Sequence, residues 1–397
     1  MAMNYNLAYF TDTYYPQLNG LVTSIDSFKE HLERRGNKVC ICAPKDNDLD
    51  REDKDVFRFR SVPYPFYKEF KVSWPYTRKL KQFFEFNTDI YHLQTPFSLG
   101  LLGMFLAKKQ KAPVIMTYHS LWTEYVHYFP LPKKTMQAFA IRLSQQFCNQ
   151  LDLVIVPSDA MKKEVESYGL DTKIVTIPTG FSFEHVNQDI DMDIRTIYNI
   201  PKDHKILVFV GRIGNEKNIH LLIDSFKEVF NADRKVHLLV IGQGPELESC
   251  INQAKSYNLE NHITFTGRKC YDEVIAMLKK SDIFVFPSVS ETQGMVSLEA
   301  LACGLPVVAV NRMGTIDYLS DGKGGLLTEP TVSDFSKGII TTLHSKDVSQ
   351  MKREALEKAS LYTMEKMTDR LLETYDNVYS EHKHKKNKTL KPQYVKL

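Results

Sequence analysis

Two cations stand in a glycine-containing loop in the second half of the chain. Arg212 and Lys217 belong to residues 210–217, V-G-R-I-G-N-E-K, which run from an apolar strand toward a helix. Arginine binds phosphate oxygens in a fork, lysine acts as a compact point charge, and a helix N-terminus adds partial positive charge. The pattern therefore indicates a diphosphate site, with an exposed loop carrying two solvated cations as the alternative.

Two carboxylates follow further along the chain, with seven residues between them. Glu291 lies in a loop after an apolar strand, and Glu299 lies on the next helix, flanked by Leu298 and Ala300. A carboxylate buried there would need partners, and two neighbouring ribose hydroxyls are suitable because the ionised group accepts from both. The alternative is a helix-capping Glu291 and an exposed Glu299. The free amides at the helix start could hold sugar hydroxyls or phosphate, and they belong to Gln293, Gly294, Met295 and Val296.

Both halves of the chain alternate short apolar segments with amphipathic ones. Strands are predicted in the first half at residues 6–10, 38–43, 89–93, 114–117, 153–156 and 173–177. In the second half they are predicted at 205–210, 236–241, 262–266, 282–286 and 306–310, with helices between them. This alternation indicates parallel sheets covered by helices on both faces. Two such sheets place a ligand crevice between the domains, at the carboxyl ends of their strands.

The length of 397 residues is too great for one ordinary core and predicts two domains. We expect an N-terminal Rossmann-like domain, a polar linker, a C-terminal Rossmann-like domain, and a C-terminal helix with a basic tail that returns toward the first domain. The boundaries of these four parts are residues 1–180, 181–204, 205–365 and 366–397.

The composition of the chain and its N-terminal residues indicate where in the cell the protein works. No run of about 18 apolar residues exists, so no transmembrane helix is expected. The N-terminus lacks the basic, apolar and small-residue order of a signal peptide. No two of the six cysteines form a C-x-x-C pair, which predicts a reduced cytoplasmic protein.

Basic and aromatic residues are concentrated in residues 56–85, which carry seven basic residues, two acidic ones and ten aromatics. The helix predicted at 133–150 adds apolar residues at helical spacing beside lysines. This concentration suggests an anionic membrane surface as a partner, whereas a helix packed on the sheet with solvated lysines is the alternative for 133–150. No nucleic-acid recognition motif accompanies it. The candidate contacts are Trp74, Tyr76, Lys79, Lys81, Lys133 and Lys134.

Four motifs, in the expected order, resemble those of retaining glycosyltransferases of the GT-B fold, the glycogen-synthase-like clan. They are E-x7-E followed by A-L-A-C-G-L-P-V-V-A, the loop G-R-x4-K, the segment F-T-D-T-Y-Y-P-Q-L-N-G-L-V-T-S at residues 10–24, and Gly267-Arg268. The resemblance spans residues 6–375. It implies two Rossmann-like α/β domains whose parallel sheets face each other across a cleft. It further implies that Gly20 approaches the donor phosphate and that Gly267 and Arg268 pass the nucleotide base.

A narrower resemblance concerns the acceptor. Residues 117–128, T-Y-H-S-L-W-T-E-Y-V-H-Y, are similar to a segment of bacterial 1,2-diacylglycerol 3-alpha-glucosyltransferases, the monoglucosyldiacylglycerol synthases. In that family the residue at His119 faces the donor sugar. The resemblance implies that the first domain binds the acceptor and faces the membrane, with Trp122 and Tyr125 on the acceptor side.

The activity implied is transfer of glucose from UDP-glucose to the 3-hydroxyl of diacylglycerol at the inner face of the cell membrane. Attack from the leaving-group face, with the departing diphosphate as base, assigns catalytic roles to His119, Glu291, Arg212 and Lys217. No cofactor or metal is needed for this chemistry, and the D-x-D strings at residues 46–48 and 191–193 are interpreted as solvated loops. Two alternatives stay open: a polysaccharide, teichoic acid or protein acceptor, and a catalytically silent nucleotide-sugar-binding scaffold.

Overall fold

The computed structural model describes residues 3–17, 19–45, 55–64, 67–77, 80–123, 132–187 and 190–389. The chain divides into two compact units. Unit 1 comprises Met1–Thr179 together with Met364–Leu397, and unit 2 comprises Gly180–Thr363. The chain therefore leaves unit 1 after Thr179 and returns to it at Met364.

Unit 1 contains a seven-stranded parallel sheet and a separate antiparallel hairpin. Its strands are β1 (Asn6–Phe10), β2 (Lys38–Pro44), β3 (Val56–Phe59), β4 (Ser61–Tyr64), β5 (Tyr67–Ser73), β6 (Ile90–Leu93), β7 (Val114–Thr117), β8 (Leu153–Val156) and β9 (Ile174–Thr176). The sheet order is β3-β2-β1-β6-β7-β8-β9, and β4 pairs with β5. Its helices are α1 (Gly20–Arg34), α2 (Leu80–Glu85), α3 (Ser98–Gln110), α4 (Lys133–Cys148) and α5 (Asp159–Ser167).

Unit 2 contains a six-stranded parallel sheet. Its strands are β10 (Lys205–Val210), β11 (Val236–Ile241), β12 (Ile263–Gly267), β13 (Ile283–Phe286), β14 (Val307–Val310) and β15 (Gly325–Thr328), in the order β12-β11-β10-β13-β14-β15. Its helices are α6 (Phe183–Val186), α7 (Ile194–Ile197), α8 (Ile219–Ala232), α9 (Leu247–Ser256), α10 (Tyr271–Lys279), α11 (Met295–Ala302), α12 (Ile316–Leu319), α13 (Val332–Leu343) and α14 (Val348–Ala359).

The strands of both sheets are nearly continuous apolar segments, as expected for parallel strands covered on both faces. All six residues of β11 are buried, for example, and so are five of the six residues of β10. The predicted α/β class with two parallel sheets is confirmed. The sequence pattern missed β3, the hairpin and α2, because residues 56–85 mix charges with aromatics and show neither period clearly.

Residues 181–204 differ from the expected linker, since they pack into unit 2. Phe181, Val186, Ile194 and Ile200 are buried in the same core as the β10 and β11 side chains. The two helices in this segment, α6 and α7, have only four residues each. Such short helices leave irregular gaps between the buried residues, so no period was visible in the sequence.

The last described helix, α15 (Met364–Thr389), belongs to unit 1. It buries Met364, Met367, Leu371, Tyr375 and Val378 at steps of three and four, which place them along one helix face. That face packs in the core formed by β1, β2 and α1. The C-terminal segment thus completes the hydrophobic core of unit 1.

Candidate active site

Strands β10 and β13 are neighbours in the unit 2 sheet and run parallel. They end at Val210 and Phe286, so their carboxyl ends meet at one edge of the sheet. The loop after β10 carries Arg212 and Lys217, and the loop after β13 carries Glu291. The parallel pairing therefore brings together residues that lie more than 70 positions apart in the sequence.

Lys217 and Glu291 form an ion pair at this edge, and both side chains are partly buried. Lys217 lies in a 3-10 helix, Asn215–Lys217, directly before α8. The hydroxyl of Ser288 donates a hydrogen bond of 3.0 Å to Oε1 of Glu291, and the amide of Gly314 donates to the Glu291 carbonyl at 2.8 Å. A diphosphate beside Lys217 and a hexose beside Glu291 would be adjacent, as they are in a nucleotide sugar.

The loop that carries Arg212 is anchored by its neighbour Ile213. The Ile213 side chain is fully buried, its amide donates to the carbonyl of Gln243 at 2.9 Å, and its carbonyl accepts from the amide of Glu246 at 3.1 Å. A Cβ on Gly244 would clash with the Ile213 carbonyl oxygen, so the close approach requires glycine there. Arg212 itself is exposed. The anchored backbone therefore fixes the position of Arg212 in the same loop that carries the partly buried Lys217.

Glu299 is buried on α11, with 8% of its surface exposed. Burial raises the pKa of its carboxyl from the ordinary 4.5 to about 7. No hydrogen bond or ion pair to this carboxylate is present among the residues that the structure describes. The alternative of an exposed Glu299 is therefore wrong, because residues 297–302 of α11 are all buried, so every side of this part of the helix is covered.

Tyr271 lies at the start of α10 and was not singled out from the sequence. Burial and then the charge of Glu299 raise the pKa of its phenol, which places the ring near that carboxylate. Gly267 and Arg268 lie just before α10; Gly267 adopts a φ of +71°, and Arg268 is exposed. The structure thus brings the predicted base loop close to the predicted ribose carboxylate. Tyr271 follows Arg268 by three residues, and this closeness to the predicted base loop was the signal in the sequence that could have identified it.

The start of α11 has the geometry of an open helix N-terminus. Gly294 precedes the helix with a φ of +77°, and no side chain caps it. Gln293 is buried, whereas Met295 and Val296 are partly buried. First-turn amides have no partner within their own helix, so those of Met295 and Val296 are oriented to donate to a ligand.

In unit 1, Gly20 is the first residue of α1 and is exposed. The side chain of Asn19 caps this helix by accepting from the amide of Val22 at 3.0 Å. A Cβ on Gly20 would meet no atom within 4 Å. Packing among the described residues therefore does not require glycine at this position, and the approach of Gly20 to the donor phosphate stays a prediction.

His119 follows β7, and its Nε2 lies 2.7 Å from Oε1 of Gln94. Burial lowers the pKa of the imidazole to about 4, so the ring is neutral at pH 7. With the amide oxygen as acceptor, Nε2 carries the proton and Nδ1 is an acceptor. Nδ1 of His119 can therefore accept a hydrogen bond from a hydroxyl. The ring is not an imidazolium at pH 7, so it cannot act as a general acid.

Gln94 is a candidate functional residue that sequence reasoning missed. It is buried and follows β6 directly, and its backbone N–H donates to the carbonyl of Phe10 at 2.8 Å. Because β6 pairs with β7 in parallel, the residues that follow the two strands meet at one sheet edge. A polar residue directly after a buried strand was the signal available in the sequence.

The residues predicted to face the acceptor or the membrane divide into two groups. Trp74 and Tyr76 are more than half exposed, and Lys81 and Lys134 are exposed. Trp122 instead stacks on Tyr118, with ring centroids 4.8 Å apart, and packs against α4. The structure therefore gives Trp122 a packing role. Lys79, Tyr125 and the side chain of Lys133 lie outside the described residues.

Metal-binding clusters and membrane-spanning helices are both absent from the described part of the chain. No group of three or more histidine, cysteine, aspartate or glutamate residues there could hold a metal ion. Asp193 of the second D-x-D string caps α7 by accepting from the amides of Arg195 and Thr196. None of the described helices combines the length and apolarity needed to cross a membrane.

Two family models match the chain in succession. The model described as Glycosyltransferase Family 4 matches residues 18–185, and the one described as Glycosyl transferases group 1 matches residues 191–360. The matches follow the division into two halves and together span most of the chain.

Named relatives and a solved structure extend this similarity. The alpha-monoglucosyldiacylglycerol synthase of Streptococcus pneumoniae is 35% identical over 325 residues, which are 80% of this chain and 74% of the relative. The protein of that name from Acholeplasma laidlawii is 27% identical over 80% of this chain and 83% of its own length. Anabaena Alr3699/HepE, solved in complex with UDP-glucose, superposes with a TM-score of 0.74 at 18% identity, over 94% of this chain and 99% of its own.

Proposed function

The chain belongs to the retaining glycosyltransferases of family 4 with the GT-B fold, and from that premise we propose that it glucosylates diacylglycerol. The donor is UDP-glucose, the acceptor is the 3-hydroxyl of 1,2-diacylglycerol, and the product is alpha-monoglucosyldiacylglycerol. The observation that carries the choice of acceptor is the 35% identity to a protein named for this product. The charged edge of unit 2 supports a nucleotide-sugar donor independently of that similarity.

On the donor side, each charged residue is assigned to one part of the nucleotide sugar. Arg212 and Lys217 bind the diphosphate, whose two anionic groups match a fork and a point charge. Glu299 accepts from the two ribose hydroxyls, and Glu291 accepts from hydroxyls of the glucose. The support for Glu299 is its burial without a partner among the described residues, because a ribose would supply the missing donors.

The transfer proceeds by attack from the face that the diphosphate leaves. The bond from C1 of glucose to the β-phosphate oxygen breaks, and the acceptor oxygen bonds to C1 on the same face. The departing diphosphate oxygen takes the acceptor's proton, so the anomeric configuration is retained. Arg212 and Lys217 stabilise the negative charge that develops on the leaving group, and the protein aligns the reactants.

His119 is assigned to the 6-hydroxyl of the glucose, by resemblance to the family. The support from the structure is its neutral ring with Nδ1 as an acceptor, which suits a hydroxyl donor. The two cations supply the positive charge that the leaving group needs, so the proposal requires no cofactor. The enzyme works from the cytoplasm at the inner face of the membrane, a location supported by the exposed Trp74 and Tyr76.

A matrix of donors and acceptors tests the proposal. UDP-glucose and other UDP- and GDP-sugars are each combined with diacylglycerol, a glycolipid and a soluble glycan, and products are read by mass. A hexosyl-diacylglycerol formed with UDP-glucose is expected. Transfer confined to the soluble glycan would overturn the lipid acceptor and favour a cell-envelope glycan.

The scaffold alternative is tested by the same assay with Lys217→Ala. Transfer by the wild type that is lost in this variant is expected if Lys217 supports catalysis. An exposed lysine of unit 2, Lys337→Ala, is the matched control and should keep full activity. A wild-type protein that binds UDP-glucose but neither transfers nor hydrolyses it would indicate a silent scaffold.

A further inference from the structure

The outer face of α3 carries an exposed apolar stripe that the sequence analysis did not identify. It consists of Phe97, Leu101 and Phe105, which are 44%, 51% and 62% exposed. Their spacing of four places them along one side of the helix. Single exposed apolar residues need no explanation, but a contiguous row of large ones marks an interaction surface.

The stripe cannot serve the core of unit 1, because the opposite side of α3 already does so. Leu99 and Leu106 are buried on that inner side. A Cβ on Gly103 would lie 2.7 Å from side-chain atoms of Phe10 and Leu93, so the helix packs closely on β1 and β6. The helix is therefore fixed on the sheet by one face and presents the other outward.

The apolar surface continues from α3 to the end of the hairpin. The amide of Ser73 donates to the hydroxyl of Ser98 at 2.9 Å, which holds the end of β5 at the start of α3. Trp74 follows directly and is 63% exposed. Trp74 and the α3 stripe therefore form one outward region, which we call the α3 face and define as Trp74, Phe97, Leu101 and Phe105.

The segment of the chain that contains α3 is strongly basic. Residues 90–151 contain six basic residues and a single acidic one, Glu124, whereas the whole chain has 51 basic and 48 acidic residues. Lys108, Lys109 and Lys111 lie at the end of α3 and are exposed. An apolar helix face bordered by lysines has the character of a helix that lies in the interface of an anionic bilayer.

This charge pattern distinguishes a bilayer from a second copy of the chain. A symmetric dimer formed through the α3 face would bring the same patch of each copy together, including its lysines. Like charges facing each other oppose association, whereas anionic headgroups would neutralise them. Lysine stems can also lie along apolar surface while their ammonium groups reach the phosphates.

We propose that the α3 face docks unit 1 on an anionic bilayer, with the apolar stripe at the acyl boundary and the lysines on the headgroups. This inference rests on the proposed lipid acceptor. The start of α3 lies at the carboxyl edge of the unit 1 sheet, because the amide of Leu99 donates to the carboxylate of Asp12 at 2.9 Å. Docking by Phe97 and Trp74 thus brings that edge, where Gln94 and His119 lie, toward the lipid.

The test is vesicle cosedimentation with Leu101→Ser/Phe105→Ser. Vesicles contain either phosphatidylglycerol and phosphatidylcholine or phosphatidylcholine alone. The wild type should bind the anionic vesicles, and the double variant should partition onto them about tenfold or more weakly, because two large apolar side chains no longer insert. Both side chains are more than half exposed, so thermal unfolding of the variant should match the wild type.

A matched control removes two equally exposed apolar residues from unit 2. Ile197 and Leu361 are 53% and 55% exposed, and Ile197→Ser/Leu361→Ser should bind vesicles as the wild type does. A second pair of variants isolates charge. Lys109→Gln/Lys111→Gln should reduce the preference for phosphatidylglycerol, whereas the exposed unit 2 pair Lys337→Gln/Lys352→Gln should not.

The outcomes separate this inference from the proposed function. Weaker vesicle binding by Leu101→Ser/Phe105→Ser, with transfer to detergent-dispersed diacylglycerol retained, supports the docking surface. Unchanged vesicle binding by that variant overturns the surface, even if diacylglycerol is the acceptor. Absence of wild-type binding to anionic vesicles would also overturn the proposed docking surface. A dimer in solution that the same substitutions dissociate, with vesicle binding unaffected, would assign the α3 face to a second copy instead.

Discussion

The two units share one architecture but place different chemistry at the carboxyl edges of their sheets. In unit 2 the edge carries charge: Lys217 is paired with Glu291, and Glu299 is buried on α11, the helix that follows the Glu291 loop. In unit 1 the edge carries the neutral pair of His119 and Gln94, and the Asp12 carboxyl at that edge is buried and bound by Thr95, Ser98 and the Leu99 amide. A charged edge suits an anionic nucleotide sugar, and a neutral edge suits hydroxyl groups, so one fold serves two kinds of ligand.

The charged edge should give the largest effect, through Lys217. In Lys217→Ala the leaving diphosphate loses a partly buried cation, and kcat should fall about 10²–10³-fold, as for other groups that stabilise developing charge. Steady-state kinetics with UDP-glucose measures this. Retention of more than half of the wild-type kcat would mean that Lys217 does not touch the diphosphate.

The buried carboxylate of unit 2 should make stability depend on pH. Because the folded pKa of Glu299 is about 7 and the ordinary value is 4.5, its stabilising contribution is fully present below pH 4.5 and is lost as pH rises through 7. Glu299→Gln should remove this loss, which is worth about 3 kcal/mol in total. Thermal unfolding of both proteins between pH 4 and pH 8 measures the difference.

The same variant separates the ribose role from a structural one. Glutamine offers one neutral carbonyl oxygen in place of two charged ones, so its hydrogen bonds to the ribose hydroxyls are weaker. The KM for UDP-glucose should therefore rise in Glu299→Gln while the protein becomes more stable at pH 7. A higher melting temperature with an unchanged KM would contradict the assignment of Glu299 to the ribose.

The neutral edge of unit 1 should respond more mildly and in a different way. Gln94→Leu removes the acceptor that fixes the His119 tautomer, and transfer should fall about five- to tenfold, the value of one hydrogen bond. Imidazole ¹⁵N shifts should show the proton on Nε2 in the wild type and a mixture of tautomers in the variant. An unchanged tautomer would show that Gln94 does not orient the ring.

The substitution Gln94→Glu tests the contact between residue 94 and His119 through the pH dependence of transfer. A carboxylate beside Nε2 favours the charged imidazole and should raise the pKa of His119 from its value of about 4. Because protonated Nδ1 cannot accept a hydrogen bond, transfer by this variant should fall as pH drops through the raised pKa. The transfer rate of the wild type should show no such step from His119 between pH 5 and pH 8. Identical pH profiles of the wild type and the variant would contradict the role of His119 as a hydrogen-bond acceptor.

A separate effect, on stability alone, concerns how α15 is held in unit 1. The Tyr375 hydroxyl lies 2.9 Å from that of Tyr9 and 2.7 Å from Nδ1 of His92. Tyr375→Phe leaves these buried groups without a partner and should lower the free energy of unfolding by about 1–2 kcal/mol. Tyr379→Phe, on the same helix but less buried, is the control and should change stability less.

Sequence periodicity predicted most strands of the two sheets, though not β3 or β15, because parallel strands buried on both faces are short apolar segments. For Glu299 the sequence left burial and exposure as alternatives, and the structure shows the carboxylate buried on α11. The linker was different: its four buried residues lie on and around one-turn helices and follow no period.

The features that escaped prediction depend on which elements are neighbours. The contact of Gln94 with His119 joins residues that follow different strands, and only the pairing of β6 with β7 brings them together. The α3 stripe escaped because α3 is apolar on both sides, so its sequence indicates burial and only the structure shows which side faces outward. The stacking of Trp122 on Tyr118 also escaped prediction, because the sequence does not show which aromatic rings meet in the folded chain.

The most direct test of the account is the anomeric configuration of the product made from UDP-glucose and 1,2-diacylglycerol in anionic vesicles. Proton NMR of the isolated glycolipid should show a single glucose in the α configuration at the 3-position of the glycerol, because the donor's configuration is retained. A β-glucoside, or the absence of any glucosyl-diacylglycerol from a folded protein that binds UDP-glucose, would contradict the account.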